Sequence, residues 1–162
     1  WLLVNLITAT LASVVIGVFD GTIEQLVALA VLMPIVASMG GNAGTQTVAV
    51  AVRAIALRQL DSLSTRNFIF REVLVAFLNG LVFAGLAGIL SFVWFGVPEI
   101  AVVMAVAMLA NLLVAGLSGT LIPVGLLRSG VDPAVASSVF VTTITDVVGF
   151  SVFLGLAALY LM

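Results

Sequence analysis

Apolar residues run through this chain in long blocks, interrupted at regular places. Five blocks can be drawn, at 1–19, 26–52, 68–95, about 100–127 and 134–162. A helix needs about 20 apolar residues to cross the hydrocarbon core of a bilayer. The pattern therefore predicts an all-α integral membrane protein with five transmembrane helices. The longer blocks must tilt, protrude or break. Gly and Pro in the second and fourth blocks predict breaks there.

The polar positions inside the blocks say more than the apolar ones. In the second block, Pro34 to Gln46 reads PIVASMGGNAGTQ, where a plain lipid-facing helix would read Leu, Ile and Val. Ser38, Asn42, Thr45 and Gln46 fall at i, i+4, i+7 and i+8 and form one stripe. Gly40 and Gly44, four apart, let another helix approach closely. Polar groups at membrane depth are tolerated where they face protein or a water-filled cavity. This stretch is predicted to be the wall of a pathway.

In the third block, Gly80, Ala84 and Gly88 form a packing seam, with Asn79 beside them as an interhelical hydrogen bond. Asn111, Ala115 and Ser118 share a face of the fourth block. The following run, AGLSGTLIP, fits either a broken helix or a packing kink at Pro123. The connection RAIALRQLDSLSTRN alternates Leu and Ile with Arg and Gln. It is expected to anchor at the membrane surface, as an amphipathic helix against anionic lipid, with Ser64 or Thr65 capping the next helix.

The fifth block carries an acid. Asp146, in TTITDVVGF, has apolar sequence on both sides and no Lys, Arg or His at similar depth to pair with it. Such an acid costs about 2.5 to 3.5 kcal/mol near a helix centre. Thr142, Asp146 and Gly149 lie at i, i+4 and i+7, so hydroxyl, carboxylate and glycine share a face. An intramembrane ionisable group is a functional-site hypothesis by default. The competing reading is a protonated Asp hydrogen-bonded to a neighbouring helix.

Composition narrows the chemistry. Of the 162 residues, 64% are hydrophobic and 7% charged, against about 25% charged in a soluble domain. A water-soluble fold is excluded. There is no Cys and no His, so thiolate and imidazole metal sites and the usual general base are missing. A metal held here is held by oxygen, which favours Mg²⁺ or Ca²⁺. Nothing suggests a nucleic-acid partner or an enzyme.

Charge sets the orientation. Arg53, Arg58, Arg66 and Arg71 lie in or beside the second connection and Arg128 in the fourth, whereas Asp20, Glu24 and Glu99 mark the first and third. By the positive-inside rule the arginine side is cytoplasmic, so the N-terminus is inside and the C-terminus outside. The chain starts at Trp1 without an initiator Met, and soluble regions are expected upstream in a longer polypeptide.

One carboxylate is too little to strip a divalent ion of water. Mg²⁺ usually keeps several waters while contacting one or two carboxylates. A two-fold homodimer would bring two Asp146 side chains together on its axis to hold a largely hydrated ion. Asn, Gln and Thr of the second block would hydrogen-bond its water shell, and Gly40, Gly41 and Gly44 would keep the passage wide.

These residues resemble a known family. PIVASMGGNAGTQT closely matches the P-x-x-x-x-x-G-G-N-x-G-x-Q signature of the MgtE magnesium channels, and TTITDVVGF is similar to that family's aspartate-bearing pore helix. The resemblance covers residues 1–162 as a transmembrane pore domain of a multi-pass bacterial inner (plasma) membrane protein. It implies a homodimer with one central pore between the second and fifth helices. Asp146 takes the place of the ion-binding acid, with Thr142 a turn before it. Gly40, Gly41, Asn42, Gly44, Thr45 and Gln46 match the pore-lining signature, with Thr143 and Gly149 lining from the fifth helix. Asp132, at the cytoplasmic mouth, matches an acidic position that binds further Mg²⁺, although an Asp before Pro133 is also ordinary turn chemistry. Family members carry cytoplasmic Mg²⁺-sensing domains, including paired CBS domains and a connecting helix. No counterpart to them occurs in these residues.

The expectation is a Mg²⁺-selective channel, with Mn²⁺, Co²⁺ or Ca²⁺ as lesser ions. The alternative is an exchanger coupling divalent flux to H⁺ or Na⁺ through the same acid. An intramembrane aspartyl protease needs two carboxylates sharing a proton, and the pattern shows one acid at depth. A purely structural anchor leaves Asp146 and the glycine-rich stripe unexplained.

Overall fold

The computed structural model describes residues 1–59 and 62–161; Leu60, Asp61 and Met162 lie outside the described residues. The elements are helices α1 (Leu2–Val18), α2 (Asp20–Gln25), α3 (Val27–Ala56), α4 (Ser62–Phe95), α5 (Pro98–Arg128) and α6 (Pro133–Tyr160), with no strand among the described residues. Helices α3, α4, α5 and α6 are each long and apolar enough to cross a membrane. The apolar α1 has 17 residues, or about 26 Å at 1.5 Å per residue. Five spanning helices were expected; four have spanning length and the first is shorter. Its apolar run ends at Phe19, and the chain restarts as α2 with Asp20 in the first turn.

Close contacts between small residues fix the helix directions. Gly40 of α3 meets Asn111 of α5, and Gly119 of α5 meets Thr47 of α3, so these two run parallel. Gly80 meets Leu109 while Gly88 meets Ala101 and Ala105, so α4 is antiparallel to α5. Gly149 meets Asn111 and Val141 meets Gly44, so α6 opposes both α3 and α5. Trp1 packs edge-on against Phe140, whereas Phe19 reaches Gly155, so α1 runs alongside α6 in the same direction.

This alternation gathers Arg53, Arg58, Arg66, Arg71 and Arg128 at one end of the bundle with Trp1 and Asp132, and Asp20, Glu24 and Glu99 at the other. Helix α5 is the hub, packing against α3, α4 and α6. Its buried Met104, Met108 and Leu112 share the core with Leu29, Leu32 and Val36 of α3 and Phe153 and Leu154 of α6. The predicted seam is present. A β-carbon added at Gly88 would lie 3.2 Å from Ala101 O, and Ala84 is buried. Helix α4 packs almost only on α5 and exposes Phe77, Leu81, Phe83, Leu86 and Ile89 elsewhere, as contact with lipid tails requires.

Three expectations differ from what is found. Pro34 and Pro123 lie inside α3 and α5, which both continue through them. A proline removes one backbone bond, and close neighbours hold the rest of these helices in line. The expected surface helix is absent among the described residues, because Arg53 belongs to the last turn of α3 and Arg66 to α4. Helix α3 ends in a Schellman turn: Arg58 N donates to Ile55 O (2.9 Å) and Gln59 N to Ala54 O (3.0 Å). Arg58 supplies the left-handed residue (φ 54°), a position usually given to Gly. Gly130 (φ 75°) ends α5 in the same way. Since α4 begins at Ser62, Ser64 and Thr65 sit within the helix instead of before it, and the Ser64 hydroxyl donates to Gln59 O (2.8 Å).

Candidate metal-ion pathway

Asp146 stands at the middle of α6, 13 residues after Pro133 and 14 before Tyr160. At 1.5 Å per residue it is about 20 Å from either end of the helix. Its neighbours along the helix show what it faces. One turn toward the arginine end, Thr142 packs against Gly41 of α3, where an added β-carbon would lie 3.7 Å from Thr142 Cγ2. One turn the other way, Gly149 packs against Asn111. The carboxylate is partly exposed, and among the described residues it forms no hydrogen bond or ion pair within the chain. No group of three acidic side chains lies close enough to hold a metal ion among the described residues. One chain alone therefore supplies one carboxylate at this depth.

On α3 the predicted stripe faces outward. Ser38, Asn42 and Gln46 are exposed and Thr45 partly so. The stripe's hydrogen bonding is one-sided. Asn42 Nδ2 donates to Ser38 Oγ (3.2 Å), and Thr45 Oγ1 donates to Asn42 O (3.0 Å). On α6, Thr142 Oγ1 donates to Ser138 O (2.9 Å) and Thr143 Oγ1 to Val139 O (2.6 Å). With the hydroxyl protons turned back into their own helices, oxygen lone pairs remain toward the outside. A hydrated cation presents water protons outward, so an acceptor-rich wall suits it.

The glycines divide between two tasks. Gly41 borders α6 beside the stripe, while Gly40 and Gly44 point into the protein. A β-carbon at Gly40 would collide with the Asn111 amide, and one at Gly44 with Val141 Cγ1. Within one chain, then, Gly40, Gly44 and Gly149 bring α3, α5 and α6 together, and Gly41, Asn42, Thr45, Thr142 and Thr143 lie toward the partly exposed face with Asp146. Asp132 caps α6, its Oδ1 accepting from Ala134 N (2.9 Å), which leaves its other oxygen uncommitted. Gln46 lies at the border of the stripe and opens onto a separate cleft between α3 and α4.

Two residues have roles that the pattern did not show. Asn111 is fully buried (0% exposed); its Nδ2 donates to Val36 O (2.9 Å) and its Oδ1 has no partner among the described residues. It sits against glycines of both α3 and α6. A polar residue at helical spacing among small ones carries no mark of that junction. Glu72 corrects the count of acids at depth. Helix α4 starts at Ser62 instead of 68, which places Glu72 ten residues inside it with a side chain 11% exposed. In the sequence it stands near the edge of the 68–95 block beside Arg71, where it reads as one half of a surface pair. Asn79, expected in an interhelical hydrogen bond, is exposed on the same cleft and makes no such bond among the described residues.

Residues 33–156 match the family model MgtE, described as a divalent cation transporter. The chain belongs to the MgtE family. It is 33% identical over 161 residues to the magnesium transporter MgtE of Bacillus subtilis (strain 168). It is 34% identical to the magnesium transporter MgtE of Thermus thermophilus and 32% to that of Enterococcus faecalis, again over 161 residues. Each match covers 99% of this chain and 36% of the relative, so the chain spans little more than a third of those proteins. The family consists of membrane transporters and not enzymes, in agreement with four helices apolar and long enough to span a bilayer. The matched range contains the α3 stripe, the α5 hub and Asp146.

Proposed function

We propose that two copies of this chain form a magnesium channel, with a largely hydrated Mg²⁺ held between paired Asp146 carboxylates on the dimer axis. What carries this is an unpartnered carboxylate at mid-helix, level with an outward, acceptor-rich face on an otherwise apolar bundle. In a monomer, Ser38, Asn42 and Gln46 would face lipid, where polar groups are costly. A second copy placed against α3 and α6 covers them and supplies the second acid. The transported ion follows from the relatives' name as magnesium transporters and from an all-oxygen donor set. Mn²⁺, Co²⁺ and Ca²⁺ are lesser permeants.

Helix α1 completes a five-span fold, since it accompanies α6 from Phe140 to Gly155. The arginine end is cytoplasmic, with the N-terminus inside and the C-terminus outside. Gly41, Asn42, Thr45, Thr142 and Thr143 line the pore and accept hydrogen bonds from the ion's water, and Gly40, Gly44 and Gly149 hold that wall in place. Asp132, with a free oxygen at the cytoplasmic mouth, binds a further ion. An inside-negative potential drives entry with about 4.6 kcal/mol per 100 mV for a divalent ion, twice the value for a single charge.

The test is Mg²⁺ flux into proteoliposomes with wild type and Asp146→Asn. Selective flux should vanish in the variant while it still elutes as a folded dimer. Unchanged flux, or flux that requires a proton or sodium gradient, would overturn the channel.

A further inference from the structure

A second polar recess lies away from the Asp146 face. Between α3 and α4, floored by Leu112 and Gly116 of α5, is a cleft of about 190 Å³ whose polar lining is Glu72, Gln46, Thr47 and Asn79. The backbone of Glu72 packs on Gly116, next to the Ala115–Gly44 contact. The cleft therefore sits toward the arginine end from Asp146. α3 and α4 barely touch each other, which keeps the cleft open.

We propose that this cleft is a second divalent-cation site, one per chain, with Glu72 as its charge and Gln46, Asn79 and Thr47 as acceptors for the ion's water. Four observations converge. The Glu72 side chain is 11% exposed, and its one ion-pair neighbour among the described residues, Arg71, is 3.9 Å away and 80% exposed. Glu72 lines the cleft, and the long 3.9 Å separation leaves its carboxylate without a close counter-charge among the described residues. Thr47 Oγ1 donates to Ala43 O (3.1 Å), so its oxygen can only accept from the cleft. Gln46 and Asn79 make no hydrogen bonds among the described residues, which lets both amides turn carbonyl oxygens inward. The volume holds about six waters at roughly 30 Å³ each, enough for an ion that keeps its shell. One carboxylate with neutral acceptors repels anions and binds a hydrated cation through water.

The proposal rests on the chain being a divalent pathway. Gln46 borders both the α3 stripe and this cleft, so an ion leaving the Asp146 level has an acceptor-lined recess within reach near the cytoplasmic end.

The probe is Mn²⁺, counted by the loss of its free-ion electron paramagnetic resonance signal on titration of the purified chain in detergent. Glu72→Gln should bind about one Mn²⁺ fewer per protomer than wild type. Asp146→Asn should keep that ion, and Asp146→Asn with Glu72→Gln should lose it. Equal binding by wild type and Glu72→Gln overturns the site. If Glu72→Gln fails to fold, Gln46→Leu with Asn79→Leu serves instead: these exposed positions should weaken the Mn²⁺ step about tenfold or more, and unchanged affinity overturns it. Flux unaffected by Asp146→Asn would sink the axial channel and leave this count standing, so the two failures are distinguishable.

Discussion

Helix α3 has two polar-looking faces that do opposite things. Gly40 and Gly44 point into the protein, where they meet Asn111, Val141 and Ala115. Ser38, Asn42 and Gln46 point out of it and touch little. On the inward face small size matters, because dispersion between close-packed helices holds a membrane bundle together where lipid tails compete with Leu and Val. In the proposed pore the outward face contributes oxygen instead, as acceptors for the water around a hydrated ion. A motif read as one unit, GGNAGTQ, is thus two surfaces folded onto one helix.

Variants of the two faces should separate stability from transport. The largest effect is expected from Asp146→Asn, with flux falling to background in a proteoliposome assay and the thermal melting point almost unchanged. Next come Gly40→Val and Gly44→Val, where the new side chain strikes Asn111 or Val141. Overpacking of this kind costs about 1–3 kcal/mol, read as a lower melting temperature in detergent. A Gly44→Val protein with normal stability and no flux would erase the distinction by putting that glycine on the ion's side. Asn111→Leu is third. It removes the 2.9 Å bond to Val36 O and an unpaired buried oxygen together, so the loss should be about 0.5–1.5 kcal/mol, with the added bulk against Gly149 felt as weaker α5–α6 packing. The smallest effect belongs to Thr45→Val, nearly isosteric on the outward face. Losing one acceptor toward water should slow flux a few-fold, in keeping with about 1 kcal/mol per hydrogen bond, and leave the melting point alone.

Much of the architecture was legible in the order of residues. Blocks of apolar residues long enough for a bilayer announced the helices, because no other backbone arrangement satisfies its own hydrogen bonds in lipid. The acid in TTITDVVGF was visible for a related reason: a charge costs so much at that depth that it stands out against any apolar run. The four-residue steps Gly80–Ala84–Gly88 named a packing seam correctly, since close approach needs small side chains at that period. Block edges were less legible. Glu72 lies within the block drawn at 68–95 but near its edge, where a buried turn and a surface turn read alike when Arg71 and Glu72 stand side by side.

Sequence alone determined which segments form long apolar helices, which of them carry side-chain oxygens, and which end of the bundle bears the arginines, because each depends on the local balance of apolar and polar atoms. Which neighbour each donor or glycine meets was decided by the tertiary structure alone. The pairing of Gly40 and Gly149 with Asn111, the outward turn of Asn42, and the recess shared by Glu72 and Gln46 all require the relative rotation of separate helices. That rotation is set by contacts between residues far apart in the chain, such as Gly41 with Thr142, where no local pattern reaches.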